Sequence, residues 1–265
     1  GKTQKPFCMM LSVEPPHEPY IAPNELQHSW EKREITLPPN FEAANDKERD
    51  LFILNRKRYN AMVENLDSNV GRMMSFLKKE DLLDNTIVVF MADHGELNGS
   101  HGYQDKQWPY EESIGIPFII SDPRTSNRNG SIIQDPTCSE DFFPTFLGLV
   151  GLQPQNPLPG IDLTPLIKGD TDYLERPGVF LEFVAEHRKG MIFHEEVWRG
   201  FRTKRFKYTV KGDKFGGKPW QFFDLEKDPY ETNNLIDASD HLEEITRHHR
   251  YLCERLAETD DPFVL

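Results

Sequence analysis

The sequence predicts an α/β fold, with a mixed, largely parallel sheet flanked by helices and a small C-terminal α+β subdomain of antiparallel strands and a terminal helix. Three observations carry that expectation. A long amphipathic stripe runs into a β-branched strand at Thr86–Ala92, the signature of strand–helix–strand units and a parallel sheet. The polar cluster Asp93-His94-Gly95-Glu96 stands where that strand ends, the place where open α/β sheets bind ligands. Beyond the middle of the chain, short strand-like runs succeed one another before a final helix.

The elements follow in order. Pro6–Val13 is a short apolar run closed by Pro15, Pro16 and Pro19, which predicts a buried strand leading into a loop. Residues 20–45, with Pro23, Pro38 and Pro39 and little periodicity, predict an irregular excursion. From Asp46 to Lys79 the apolar residues Tyr59, Met62, Leu66, Val70, Met73 and Leu77 recur at helical spacing, with Asp46 as a candidate cap. Strands are then expected at Thr86–Ala92 and Pro117–Ser121, with a short helix over 140–150 and a loop-rich connection over 151–178. Val179–Val184, Trp198–Arg202, Phe206–Val210 and Gln221–Asp224 predict short strands, with a tight turn at Lys211-Gly212-Asp213, before a helix at about His241–Glu258. The expected division is 1–170 for the α/β domain and 171–265 for the C-terminal subdomain.

Composition narrows the function. The 265 residues hold 31 basic and 44 acidic side chains, a formal net charge of −13. That balance argues against a nucleic-acid binder, which needs positive surface to engage phosphates. No apolar run approaches the roughly 20 residues that cross a bilayer, so no membrane span is expected. Three cysteines, Cys8, Cys138 and Cys253, are too few and too scattered for a disulfide framework.

Chemistry concentrates in Asp93–Lys106. A carboxylate and an imidazole at a strand end suit a divalent cation, and Gly95, Gly99 and Gly102 allow the backbone to turn tightly around it. Two protein ligands are too few for a hard cation, so further ligands must come from elsewhere. Lys106 offers a positive point charge to an anionic substrate. On the residues alone, a polar loop with a capping aspartate and surface histidines stands equally well. His17, between Pro16 and Glu18-Pro19, is a candidate hydrogen-bond donor or general acid, or simply a loop histidine.

The stretch Thr86–Ile120, with Asp93-His94-Gly95, Lys106 and Tyr110-Glu111-Glu112-Ser113, resembles the sulfatase family of the alkaline phosphatase superfamily. Pro16-His17-Glu18-Pro19, Leu66-Asp67-Ser68-Asn69-Val70-Gly71, Phe143-Pro144-Thr145, Gly160-Ile161-Asp162-Leu163, Arg202–Tyr208 and Asp224–Glu231 agree in order. The resemblance implies an alkaline phosphatase-like fold and hydrolysis of a sulfated small molecule or saccharide. It implies Asp93 and His94 as ligands of a divalent cation, usually Ca²⁺, and His17 and Lys106 as catalytic residues contacting the sulfate. His101, inside the motif, is implied as a further substrate contact. It also implies an extracytoplasmic, secreted or lysosomal setting.

One part of the family pattern is missing. The formylglycine cofactor is made from Cys or Ser in a Cys/Ser-x-Pro-x-Arg segment, and no cysteine here fits. Ser121-Asp122-Pro123-Arg124 brings its arginine one place too early. In family order that segment precedes Pro16-His17, so the chain resembles a C-terminal portion, completed by an N-terminal chain or segment. Two other readings stand beside the sulfatase one: a phosphate or phosphonate monoester hydrolase of the same superfamily, and a binding or assembly chain that does not catalyse. The basic run Arg199–Lys218 is read as the solvent face of a hairpin, with an exosite for a sulfated polyanion as the alternative.

Overall fold

A computed structural model describes residues 5–128, 130–184, 197–213 and 216–265. The chain divides into two compact units. One comprises residues 1–37 and 41–85, the other 38–40 and 86–265.

The first unit is helical. Helix α1, Asn24–Glu31, packs on α2, Asp46–Lys79, around buried Tyr20, Ala22, Ala61 and Met62. The Trp30 indole donates to Glu64 at 2.7 Å, and Arg58 pairs with Glu31 at 2.8 Å. The predicted span of α2 holds, but Asn45, one residue earlier than expected, is the cap, its side chain accepting from the Glu48 N–H at 3.0 Å. Toward the C-terminal end of α2, Met73 and Phe76 are exposed.

The strand expected at Pro6–Val13 does not form. This run is extended coil, and Phe7, Met9, Met10, Leu11 and Val13 are all exposed. A strand is stabilised by ladder bonds to a neighbour, and none of the described residues supplies one here.

The second unit begins with β1, Val88–Met91, and β2, Phe118–Ser121, joined by a loop that carries the short helix α3, Glu111–Ile114. The strands pair antiparallel, Val88 opposite Ser121 and Met91 opposite Phe118. Helix α4, Phe142–Leu149, brings Phe142 against Phe118, ring centres 4.4 Å apart. The loop-rich connection contains α5, Thr164–Lys168. It is pinned by buried Asp141, which accepts from the Ile161 N–H at 2.8 Å and pairs with Arg176.

Strands β3 (Gly178–Phe183), β4 (Val197–Thr203), β5 (Phe206–Asp213) and β6 (Gly216–Asp224) form an antiparallel meander in sequence order. Helix α6, Leu242–Glu258, covers one face. Val197, Phe201, Tyr208, Val210 and Phe222 meet Ile245, Leu252 and Leu256 there. Lys211-Gly212-Asp213, expected as a turn, lies within β5.

Both sheets among the described residues are antiparallel, which corrects the largely parallel expectation. A parallel pair needs a strand on each side of a crossover helix. Here β1 follows α2, but the run before α2 is the unpaired coil at Pro6–Val13, so the unit has only its second strand.

Candidate active site

Asp93 and His94 follow β1, one residue (Ala92) beyond its end. The Asp93 carboxylate is 88% exposed and accepts from the His94 N–H at 3.0 Å. His94 Nδ1 sits 2.7 Å from the Gly95 carbonyl, an acceptor only, so Nδ1 carries a proton and Nε2 is the nitrogen left to face a cation. That Nε2 lies 3.6 Å from Asp93 Oδ2. An oxygen and a nitrogen donor thus stand together, as a divalent cation requires.

Gly95 makes this geometry possible. A Cβ there would sit 2.0 Å from the Glu112 carbonyl oxygen, so no other residue fits without backbone movement. The Gly95 and Glu96 N–H groups donate to the carbonyls of Ser113 and Glu112, both at 2.7 Å, which ties the start of the loop to α3.

The loop then coils tightly. Asn98, Gly99, His101, Gly102, Asp105 and Gln107 all have φ between 45° and 89°. Leu97 N–H donates to the Asp105 carbonyl at 2.8 Å, and the Trp198 indole of β4 donates to the Gln107 carbonyl at 2.6 Å. Lys106 sits between these two anchored carbonyls, half-buried. Beneath it, Leu97 and Trp108 are buried among Tyr103, Tyr110, Phe183 and Trp220.

His101 is placed among polar groups of the second unit. Its ring stacks on Tyr110, centres 3.6 Å apart, and its Nε2 lies 2.9 Å from the Asn40 amide nitrogen. That amide also donates to Glu112 at 2.6 Å and to the Tyr230 carbonyl at 3.0 Å. His101, Glu112 and Glu231 offer ligand atoms all within 4.8 Å of one another, a set able to hold a metal ion. The Lys207 ammonium, fully enclosed, already brings positive charge there, pairing with Glu231 at 2.5 Å and Glu111 at 3.2 Å. Arg202 adds a second pair to Glu111 at 3.1 Å. Burial pushes the Glu231 carboxyl up to about 7, against the pull of Lys207. Burial also pushes Glu111 upward, but the charges of Lys207 and Arg202 outweigh it and hold this carboxyl below the usual range.

Of the residues expected from sequence, Asp93, His94, His101 and Lys106 share one loop of the second unit. His17 belongs to the first unit, exposed, in a turn where its N–H donates to the Glu14 carbonyl at 3.0 Å. The buried Asn40–Glu112–Glu231–Lys207 network was not foreseen. Its one sequence signal was the pair of motifs Tyr110-Glu111-Glu112-Ser113 and Asp228-Pro229-Tyr230-Glu231, to which no role was attached.

The basic run is only in part a solvent face, since four of its cations are engaged in internal pairs. Arg199 pairs with Asp261 at 2.7 Å, Arg205 with Asp224 at 2.6 Å, and Arg202 and Lys207 with the network above. Lys204 and Lys218 are exposed, and Lys214 lies outside the described residues. Ser121-Asp122-Pro123-Arg124 is structural: Arg124 grips its own Asp122 at 2.6 Å and the Leu149 carbonyl at 2.7 Å. The Cys138 thiol is pushed up to about 11, chiefly by burial, and burial also raises Cys253; Cys8 is exposed.

Residues 1–152 match the sulfatase family model, and residues 99–259 match that of the N-sulphoglucosamine sulphohydrolase C-terminal region. The chain is 30% identical over 272 residues to an ulvan-active sulfatase of Formosa agariphila, covering 99% of this chain and 50% of that protein. Among solved structures it resembles a putative sulfatase, yidJ, of Bacteroides fragilis, with a TM-score of 0.83 and 31% identity over 98% of this chain and 55% of that one. It also resembles a phosphonate monoester hydrolase of Agrobacterium radiobacter, with a TM-score of 0.70 and 28% identity over 81% of this chain and 44% of that one. The chain spans about half the length of the curated relatives it matches.

Proposed function

The chain belongs to the sulfatase family, and from that premise we propose that it supplies the metal- and sulfate-binding portion of a sulfuric ester hydrolase. The observation that carries this reading is the Asp93–His94 pair at the end of β1. Its outward carboxylate and its imidazole, whose Nε2 faces that carboxylate, fit a divalent cation such as Ca²⁺. A cation bound there would stabilise negative charge on the sulfate oxygens. Lys106 places its ammonium against the sulfate and the leaving oxygen, where charge builds as the ester bond breaks. The family resemblance assigns His17 to the sulfate, as a hydrogen-bond donor and as acid to the departing alkoxide. Asp93 and His94 would hold the cation, and His101 is a further substrate contact. The substrate is a sulfated saccharide or small sulfate ester, met in an extracytoplasmic setting.

The nucleophile and the remaining metal ligands come from a section outside these 265 residues. No Cys/Ser-x-Pro-x-Arg segment occurs in the chain, and the unpaired apolar run at Pro6–Val13 supports a missing neighbouring strand. The isolated chain is therefore expected to bind Ca²⁺ weakly in calorimetry and to leave an aryl sulfate intact. Joined to its upstream section it turns over, and Asp93→Asn or His94→Gln abolishes that turnover. Robust turnover by the purified 265-residue chain alone overturns the division of labour, and a fully active Asp93→Asn enzyme overturns the metal assignment. The likeness to a phosphonate monoester hydrolase favours a second reading, phosphate or phosphonate ester cleavage at the same site. Rates on matched aryl sulfate, phosphate and phosphonate esters decide between them.

A further inference from the structure

Lys106 lies between two residues in the left-handed region, Asp105 at φ 64° and Gln107 at φ 79°. Neither has the conformational freedom of glycine. Such backbone persists only where the surroundings hold it. Two hydrogen bonds do so. The Asp105 carbonyl, immediately before Lys106, accepts from the Leu97 N–H within the same loop. The Gln107 carbonyl, immediately after, accepts from an indole 91 residues away, Trp198 Nε1, at 2.6 Å.

Trp198 is suited to act as a fixed donor. It is 4% exposed, in β4 between Phe183 of β3 and Lys211 of β5, and its ring stacks with that of Phe183, centres 6.3 Å apart. The sheet thus sets where the indole N–H points, and the indole sets where the Gln107 peptide points. Without that donor, Gln107 is released to return to negative φ, and the Cα–Cβ direction of the adjacent Lys106 turns with it.

We propose that Trp198 is a positioning residue for Lys106, which it holds in its reactive orientation through the Gln107 carbonyl. The inference rests on the assignment of Lys106 to the sulfate. It gives the C-terminal meander a part in catalysis without any contact between Trp198 and substrate.

The test is a double-variant cycle on aryl sulfate turnover, using the enzyme that carries the upstream section. Trp198→Phe keeps an aromatic ring and deletes the N–H. The expected result is a fall in kcat of roughly tenfold or more with little change in KM, since a displaced catalytic group costs rate rather than ground-state binding. Trp198→Phe in a Lys106→Ala background is expected to add nothing, because the lysine it positions is gone. A merely structural tryptophan would instead lower activity by the same factor in both backgrounds. If Trp198→Phe misfolds by circular dichroism, 3-benzothienylalanine at 198, which has the ring shape of indole and no N–H, takes its place. Full activity of the N–H-deleted enzyme, or equal losses in both backgrounds, overturns the positioning role. Full activity of Lys106→Ala overturns the assignment of Lys106 itself, so the two failures are distinguishable.

Discussion

Lys207 has no exposed surface, yet its position in β5 follows from period-two alternation. Tyr208 and Val210 point to the α6 side, so Lys207 and Thr209 point to the other. There Lys207 meets Glu111 and Glu231. Removing one partner of a buried ion pair costs about 3–5 kcal/mol, because the remaining charges are left uncompensated. Lys207→Met is expected to destabilise the protein by that order, read as a shift in urea midpoint at unchanged slope. Glu231 adds a pH signature. Its carboxyl titrates higher in the fold than in the unfolded chain, so the folded state binds the extra proton between the two values. Stability therefore falls as pH rises from the ordinary glutamate range to about 7, then levels off. In Glu231→Gln that downward limb should disappear from a plot of unfolding free energy against pH. If the limb persists in the variant, another group is responsible.

At the scale of elements, the loop after β1 depends on its contact with α3. Gly95 passes so near the Glu112 carbonyl that even a methyl group has no room. Gly95→Ala must therefore push α3 or the loop aside, and with them Asp93, His94 and the network at Glu112. Overpacking of this kind costs about 1–3 kcal/mol. Hydrogen exchange should show the change first at the Gly95 and Glu96 amides, which are bonded to α3. Unchanged protection there would mean that the contact is not what anchors the loop. Element legibility tracked the range of the forces involved. Helix α2 could be read from sequence because its bonds are internal and its apolar stripe declares its period, though a neighbouring asparagine took the capping role. The four C-terminal strands and α6 were readable for a similar reason, since sequential neighbours pair. Pro6–Val13 was misread because a strand is half of a pair, and an apolar run says nothing about whether its partner exists. Asp93 and His94 stood out by position after a strand. Lys207 and Trp198 did not, since Glu111 and Gln107, which they reach, lie 96 and 91 residues distant.

Across the whole molecule, charge and structure answer different questions. The net −13 argued against a nucleic-acid partner but gave no hint that four of the cations clustered in Arg199–Lys218 are spent on internal pairs. Burial also sorts the three thiols. Cys138 and Cys253 are held protonated by their surroundings, while Cys8 stands open within the apolar run Pro6–Val13. A thiolate is the nucleophile toward alkylating reagents, so the molecule carries a single readily addressed handle. Its address is an exposed apolar stretch of coil, so a fluorophore attached at Cys8 would report, by its own dehydration, whether another segment closes over it.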